Sequence, residues 1–252
     1  MYPLSFYDMN KFIYILLFLL IQNTFSQINS GIVEYKKIRL KKVFKKNEKI
    51  KSANFETFSK IENSINEIQK EIIFNLLYKD GKSFFEVRKK MSISKNRFFK
   101  MSLGPEGISK YYNSEKEIIR QVNAFGEDFL ISKPKYNWDL KKETKKIGKY
   151  TCYKATMVEK IKTRKGVKNV LIQAWYTSEV NIPYGPIGYS GLPGLIIELK
   201  RNNIKYYATK INLTPGEDLL IKKPTKGKKV TQEEFYDIAI NAMKDFRKNR
   251  GY

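Results

Sequence analysis

The chain has 252 residues and a formal net charge of +24, and its hydrophobic content of 42% is enough for a packed core and excludes wholesale disorder. Only eight of its 49 basic residues are arginine, and because nucleic-acid-binding proteins rely on arginine for bidentate contacts, the charge does not predict specific nucleic-acid binding. Histidine is absent and Cys152 is the only cysteine, which excludes imidazole-based catalysis and an intramolecular disulfide and argues against a tetrahedral zinc site.

The N-terminus has the pattern of a targeting segment. Lys11 precedes ten apolar residues, 12–21, a run too short to span a bilayer of about 30 Å but typical of a signal-peptide core. Small residues before Gln27 predict a signal peptide over residues 1–26, with residues 1–8 as a mis-annotated upstream start. We therefore expect export through the Sec pathway, to the periplasm, the outer membrane or the medium, and one mature domain over 27–252. An uncleaved N-terminal anchor is the alternative.

The first part of that domain alternates strand and helix patterns. Residues 32–35 read as a short strand, and the basic run 36–51 as a solvated face or loop. Apolar residues at helical spacing predict an amphipathic helix near residues 56–70. Residues 72–78 and 82–87 flank an Asp-Gly pair and predict a hairpin.

The middle of the chain reads as further hairpins. Residues 91–107 show no sustained period and predict a loop or an irregular edge strand. A hairpin is expected around Asn113-Ser114, and a strand at 129–131. Residues 150–161 then pair with 170–177 through a glycine-containing turn.

A stretch rich in glycine and proline, residues 183–194, separates two strongly apolar runs. Pro193 and Gly194 occupy the central positions of an expected type II turn. The strand at 195–200 should pair with 204–213, where the apolar pattern changes face and indicates a bulge. The stretch is therefore expected to be a rigid excursion between two strands.

The C-terminal segment 231–248 has the clearest helical pattern. Thr231 and Glu234 have the spacing of a capping box, and residues 224–229 before them read as a linker. Docking on the sheet is the ordinary explanation of such a helix; a partner-binding or membrane-surface helix is the alternative.

These elements predict an α+β fold that is mainly antiparallel β. We expect one curved or partly closed sheet, a half barrel of the lipoprotein-carrier type, with the two helices on one face. This comparison concerns the fold alone, and function does not follow from fold.

A family resemblance rests on six consecutive residues of the central stretch: Gly191, Leu192, Pro193, Gly194, Leu195 and Ile196. They spell the motif of the GLPGLI family of exported Bacteroidetes proteins. Neighbouring elements also resemble that family's pattern, among them Trp138, Ile147-Gly148 and Ala174-Trp175-Tyr176-Thr177. The resemblance implies no reaction, because the family has no assigned one.

Two functional hypotheses from different classes follow, neither enzymatic and neither requiring a cofactor or a metal. The first is an envelope binding module for an apolar or peptide ligand, with an aromatic lip formed by Trp175, Tyr176, Tyr184, Tyr189 and Pro193. The second is a structural or interaction protein whose Lys-rich surface contacts an anionic membrane or an outer-membrane protein. The first predicts a sizeable cavity lined by those residues, whereas the second predicts a filled sheet interior. The alternative is that the same aromatic residues are plain core.

Overall fold

The computed structural model describes residues 30–41, 52–88, 94–216 and 219–248, and of residues 52–54 the backbone only. The predicted signal peptide, 1–26, and most of the basic run lie outside these ranges. The described strands are β1 Ser30–Arg39, β2 Phe74–Lys79, β3 Lys82–Val87, β4 Lys110–Asn113, β5 Ile118–Ala124, β6 Glu127–Lys133, β7 Asp139–Ile147, β8 Tyr150–Thr163, β9 Gly166–Thr177, β10 Leu195–Arg201, β11 Ile204–Asn212 and β12 Lys228–Thr231. The described helices are α1 Ser52–Glu71, α2 Phe99–Gly107 and α3 Gln232–Lys248, with a short 3-10 turn at Pro186–Gly188.

All twelve strands belong to one sheet, in the order β12-β6-β5-β4-β3-β2-β1-β11-β10-β9-β8-β7. Neighbouring strands are antiparallel, except that β12 runs parallel to β6. The sheet is not closed, since β12 and β7 end the order. The mainly antiparallel α+β prediction is confirmed at this level.

The sheet bends strongly along its width. Strands β6 and β8 occupy the second and eleventh positions, so in a flat sheet they would lie roughly 40 Å apart at the usual strand spacing. Instead, Lys133 Nζ of β6 lies 3.9 Å from Glu159 Oε1 of β8. The concave face therefore encloses an interior.

The central stretch of the chain occupies this interior. Tyr184, Ile187 and Tyr189 are buried, and the Asn113 side-chain amide of β4 donates to the Gly188 carbonyl at 3.2 Å. A Cβ on Gly188 would lie 2.8 Å from the Tyr111 ring, so a glycine is needed for this close approach. The predicted excursion between two strands is confirmed, and it lies inside the curve of the sheet.

The turn within this stretch differs from the predicted type II geometry. The Gly194 amide donates to Leu192 O at 2.8 Å, two residues back, while the Leu195 amide donates to Val180 O instead. Gly194 has φ +142°, and a Cβ there would lie 2.0 Å from Thr177 O. The glycine is therefore required by a close approach between two backbone segments as well as by its dihedral angle.

Three other predictions are corrected. Residues 99–107 form α2 rather than a loop or edge strand; Gly104 at φ 66° breaks this helix into two short pieces, which hides its period. The first residues of the basic run belong to β1, where Lys37 is buried. The end of the expected linker, from Lys228, is β12.

The remaining element predictions are confirmed. Hairpins β2–β3, β4–β5, β8–β9 and β10–β11 form as expected, and the expected bulge in β11 is at Thr209, opposite Glu34 and Tyr35 of β1. In the capping box, the Glu234 amide donates to Thr231 Oγ1 at 3.2 Å and the Thr231 amide to Glu234 Oε2 at 2.7 Å. The start of α3 packs through buried Phe235 onto Phe129 of β6. Within the described ranges, no helix combines the length and apolar character that crossing a bilayer requires.

Candidate functional site

The five residues predicted to form an aromatic lip do not share one cavity. Tyr176, Tyr184 and Tyr189 are buried, whereas Pro193 is exposed. Trp175 is half-buried, with the Lys145 ammonium 4.4 Å from its ring centroid. Of the five, Tyr184 borders a small cavity of about 230 Å³ beside Pro183. Their role in binding a ligand stays a prediction.

The motif residues 191–196 position the central stretch. Leu195 and Ile196 are buried, and the Tyr35 hydroxyl donates to Ile196 O at 2.6 Å. The Ile196 amide donates to Tyr184 O at 3.2 Å. These contacts fix the end of the excursion to the start of β10, so the motif has a structural role that its sequence alone does not reveal.

A cluster of charged side chains lies on the concave face beside this stretch. Glu159 accepts a hydrogen bond from the Tyr189 hydroxyl at 3.0 Å and one from Arg201 Nε at 2.9 Å. Arg201 Nη1 also donates to Glu106 at 2.7 Å. With Lys133, these groups form what we call the ion cluster. The side chains of Lys133, Glu159 and Arg201 are only 8%, 14% and 16% exposed.

Sequence reasoning missed the ion cluster, although a signal was present. On β8, Glu159 lies between Met157 and Ile161 on the same face of the strand, and both neighbours are apolar. On β10, Arg201 shares a face with the apolar Leu199. A charged residue at a buried position of a strand pattern needs a partner, because an unpaired buried charge is very costly. The pattern could have predicted a buried ion pair, but not which residues meet.

Burial and mutual attraction shift the ionisation of the cluster. Burial lowers the pKa of Lys133 to about 8, against the opposing attraction of Glu159. Burial acts to raise the pKa of Glu159, but the charges of Lys133 and Arg201 outweigh it and hold that pKa below its ordinary value. Burial, with the nearby Glu159 charge, raises the pKa of Tyr189. At neutral pH the cluster therefore holds a charged lysine, arginine and glutamate together.

One side of the ion cluster faces an open cavity of about 620 Å³, which we call the α3 cavity. Lys133 and Glu159 line it, and apolar groups of Met157, Pro134 and Tyr236 form much of its wall. Tyr136 lies between the cavity and Tyr189, on which its ring stacks at 4.7 Å, and its buried hydroxyl has no hydrogen-bond partner among the described residues. The arrangement offers opposite charges beside apolar surface. Within the described residues, no group of three or more acidic, cysteine or histidine side chains could hold a metal ion.

Comparison with known proteins gives a match to a family model over part of the chain, and no activity. A family model described as "Protein of unknown function (Porph_ging)" matches residues 138–170 and 159–198, which contain β7–β9, the central stretch and the start of β10. The resemblance to an uncharacterised family is thus supported over this part of the chain, whereas the GLPGLI name stays a prediction. No curated protein matches the chain.

Among solved structures, two crystal forms of PNGF-II are similar. The form in space group C2 is 15% identical with a TM-score of 0.44, and the match covers 84% of this chain and 33% of PNGF-II. The form in space group P21 is 16% identical with a TM-score of 0.46, and the match covers 85% of this chain and 34% of PNGF-II. The chain spans about a third of the length of the PNGF-II chains.

Proposed function

We propose that this protein is a non-catalytic binding module that takes a peptide or other partly apolar ligand in the α3 cavity. The main support for this proposal is that the Lys133–Glu159 ion pair lies at the wall of a cavity of about 620 Å³. This volume is within the usual range for small-molecule sites, of roughly 300–1,000 Å³. The proposal moves the ligand from the predicted aromatic lip to the side of the sheet.

The chemistry of the wall supports a peptide. The ammonium of Lys133 and the carboxylate of Glu159 complement the carboxylate and ammonium groups that a short peptide carries, and low solvent access strengthens such contacts. Met157 and Tyr236 offer apolar surface for side chains. Glu159 is already held by Arg201 and Tyr189, so the wall is preorganised before a ligand arrives.

The curvature of the sheet and the N-terminal sequence also bear on this proposal. The curved sheet supports the likeness to a carrier-type half barrel, and because the central stretch fills the interior, we propose a ligand at the side. Export to the periplasm or outer membrane rests on residues 1–26 alone.

Native mass spectrometry, compared with denaturing spectra of the same sample, tests this function on protein purified from the cells that make it. Asn137 is exposed and lines the α3 cavity, so Asn137→Trp should obstruct it. Asn169→Trp is the matched control, because Asn169 is exposed on β9 and does not line this cavity. An extra mass that is lost in Asn137→Trp and kept in Asn169→Trp supports the proposal. A clean unliganded mass for the wild-type protein overturns retention of a ligand.

A second candidate, a protein that binds anionic membrane surfaces, is supported by the outer face of the β8–β9 hairpin. Val158 and Leu171 are paired across the strands and are 57% and 60% exposed, with Val167 further along at 67%. Exposed Lys160 lies on the same face as Val158. Apolar and basic groups together are typical of surfaces that meet anionic lipid. Sedimentation with phosphatidylglycerol vesicles should be salt-sensitive and lost in Val158→Asp/Leu171→Asp; absence of sedimentation at low salt rejects this candidate.

A further inference from the structure

A second group of cationic side chains lies on the concave face, away from the α3 cavity. Arg39 of β1 is opposite Ile204 of β11, which is opposite Arg201 of β10. Their Cα atoms are thus two strand spacings apart, roughly 10 Å. Lys37 is two residues before Arg39, so its side chain emerges on the same face. Three cations therefore project from one small area of the sheet.

The break in α2 explains how Lys37 is held there. Its ammonium donates to Ser102 O at 2.7 Å and also to Leu103 O. These carbonyls precede Gly104, where φ is 66° and the helical hydrogen-bond pattern is interrupted. Carbonyls at the end of a helical turn carry partial negative charge and favour a cation. Lys37 is therefore fixed in place by backbone groups without a carboxylate on its ammonium.

The three cations line a cavity of about 400 Å³ between the sheet and α2, which we call the α2 cavity. Among the residues that line it, Glu106 supplies a carboxylate, and this group is paired with Arg201. The Nε of Arg39 is buried and has no hydrogen-bond partner among the described residues. A buried donor without a partner costs free energy. Because Arg201 is paired with Glu159 as well as Glu106, the donor without an acceptor belongs to Arg39, and the three cations keep a net positive charge of one after the two carboxylates are counted.

We propose that the α2 cavity binds a tetrahedral oxyanion, a phosphate or sulfate group, through Arg39 with Lys37 and Arg201 around it. An arginine guanidinium matches the oxygen geometry of such groups, and an anion offsets the positive charge that remains after Glu106 and Glu159 are paired with Arg201. Burial lowers the pKa of Lys37 to about 8, so anion binding should weaken as the pH rises above that value. This site is separate from the α3 cavity, and its test does not depend on a peptide ligand.

The experiment titrates inorganic phosphate into the full chain at pH 7 while sodium chloride keeps the ionic strength constant. The midpoint of thermal unfolding should rise saturably with phosphate, and Arg39→Gln should weaken this effect about tenfold or more. Arg164→Gln is the matched control, because it removes the same charge from the exposed β8–β9 turn. Arg39→Lys should retain part of the effect, since it keeps the charge but loses the fork of donors. No response beyond that of chloride, or an equal loss in Arg164→Gln, overturns the proposal.

A second measurement covers the case in which Arg39→Gln does not fold. In the wild-type protein, backbone amide resonances of Gly104, Asn202 and Asn203, which line the α2 cavity, should shift with phosphate before those of the β8–β9 turn. A uniform shift across the protein contradicts a site.

Vesicles of phosphatidic acid distinguish a lipid source of the phosphate group from a free ion. Sedimentation that depends on Arg39 and is displaced by inorganic phosphate assigns the group to a lipid headgroup. Phosphate binding without such sedimentation assigns it to a soluble molecule. If the protein binds neither inorganic phosphate nor phosphatidic acid vesicles, the oxyanion site in the α2 cavity is wrong. That result would not affect the proposal of a peptide ligand in the α3 cavity.

Discussion

Lys133 and Glu159 lie on strands nine positions apart in the sheet order, yet their charged atoms are 3.9 Å apart. The pair joins the two sides of the concave face, and Arg201 and Tyr189 attach it to β10 and to the central stretch. The curvature of the sheet and the ion cluster therefore depend on one another. Both the stability of the fold and the shape of the α3 cavity should respond when Glu159 is changed.

Glu159→Gln should destabilise the protein by about 3–5 kcal/mol, because it leaves Lys133 and Arg201 with a neutral partner in a poorly hydrated place. Urea denaturation at pH 7 measures the change. Glu143→Gln serves as the control, since Glu143 pairs with Lys154 but its side chain is 57% exposed. Little change is expected for the control. Equal effects of the two substitutions would show that the cluster has no special role.

Stability should rise between pH 7 and about pH 9.5. Burial lowers the pKa of Lys133, and that of Lys37, to about 8 in the folded protein, against an ordinary pKa of 10.5 in the unfolded chain. The unfolded state therefore binds more protons between pH 8 and 10.5, and the folded state gains relative stability as the pH increases. We expect a gain in the free energy of unfolding on the order of 2 kcal/mol from each lysine, or about 4 kcal/mol from both.

Lys133→Met should remove about half of this pH dependence, because Lys37 still contributes, whereas Lys165→Met, at an exposed turn position, should leave it unchanged. The urea midpoints of the wild-type protein and of both variants, measured at four pH values, test this difference. Above pH 10 the trend should reverse, because burial raises the pKa of tyrosines such as Tyr35 and Tyr206. A constant or falling stability from pH 7 to 9.5 contradicts the prediction.

Gly194→Ala should be far more damaging than Gly191→Ala, although both residues have positive φ angles and belong to the same motif. A Cβ on Gly194 would lie 2.0 Å from Thr177 O, whereas a Cβ on Gly191 meets nothing within 4 Å. Gly191→Ala carries backbone strain of about 1–2 kcal/mol. Gly194→Ala should exceed about 3 kcal/mol, because backbone on both sides must move. Similar thermal midpoints for the two variants would show that the segments separate easily.

Cys152 should be inert in the folded protein. It is fully buried on β8, and burial raises the pKa of its thiol to about 11. Because the thiolate is the reactive form, modification by iodoacetamide at pH 8 should be negligible in buffer and complete in urea. Mass spectrometry counts the adducts. Rapid labelling of the folded protein would instead show that the thiol is reactive.

Local patterns in the sequence predicted most of the elements correctly. The Asp-Gly turn gave the β2–β3 hairpin, and the Thr231–Glu234 spacing gave the start of α3, because these signals act within a few residues. Helix α2 was missed because Gly104 divides it, and β12 was missed because a four-residue parallel strand has no pattern of its own. The buried position of Lys37 follows from carbonyls 65 and 66 residues away, which the local charge run did not indicate.

The sequence by itself determined that the chain forms hairpins, that glycine and proline shape the segment before β10, and that histidine chemistry is absent. Only the tertiary structure decided which charged groups meet, because Lys133, Glu159 and Arg201 come together through the curvature of a twelve-stranded sheet. That curvature sums many small strand twists and is not encoded at any one position. It also buried Tyr176, Tyr184 and Tyr189 of the five residues expected to form an aromatic lip, while Trp175 is half-buried and Pro193 is exposed.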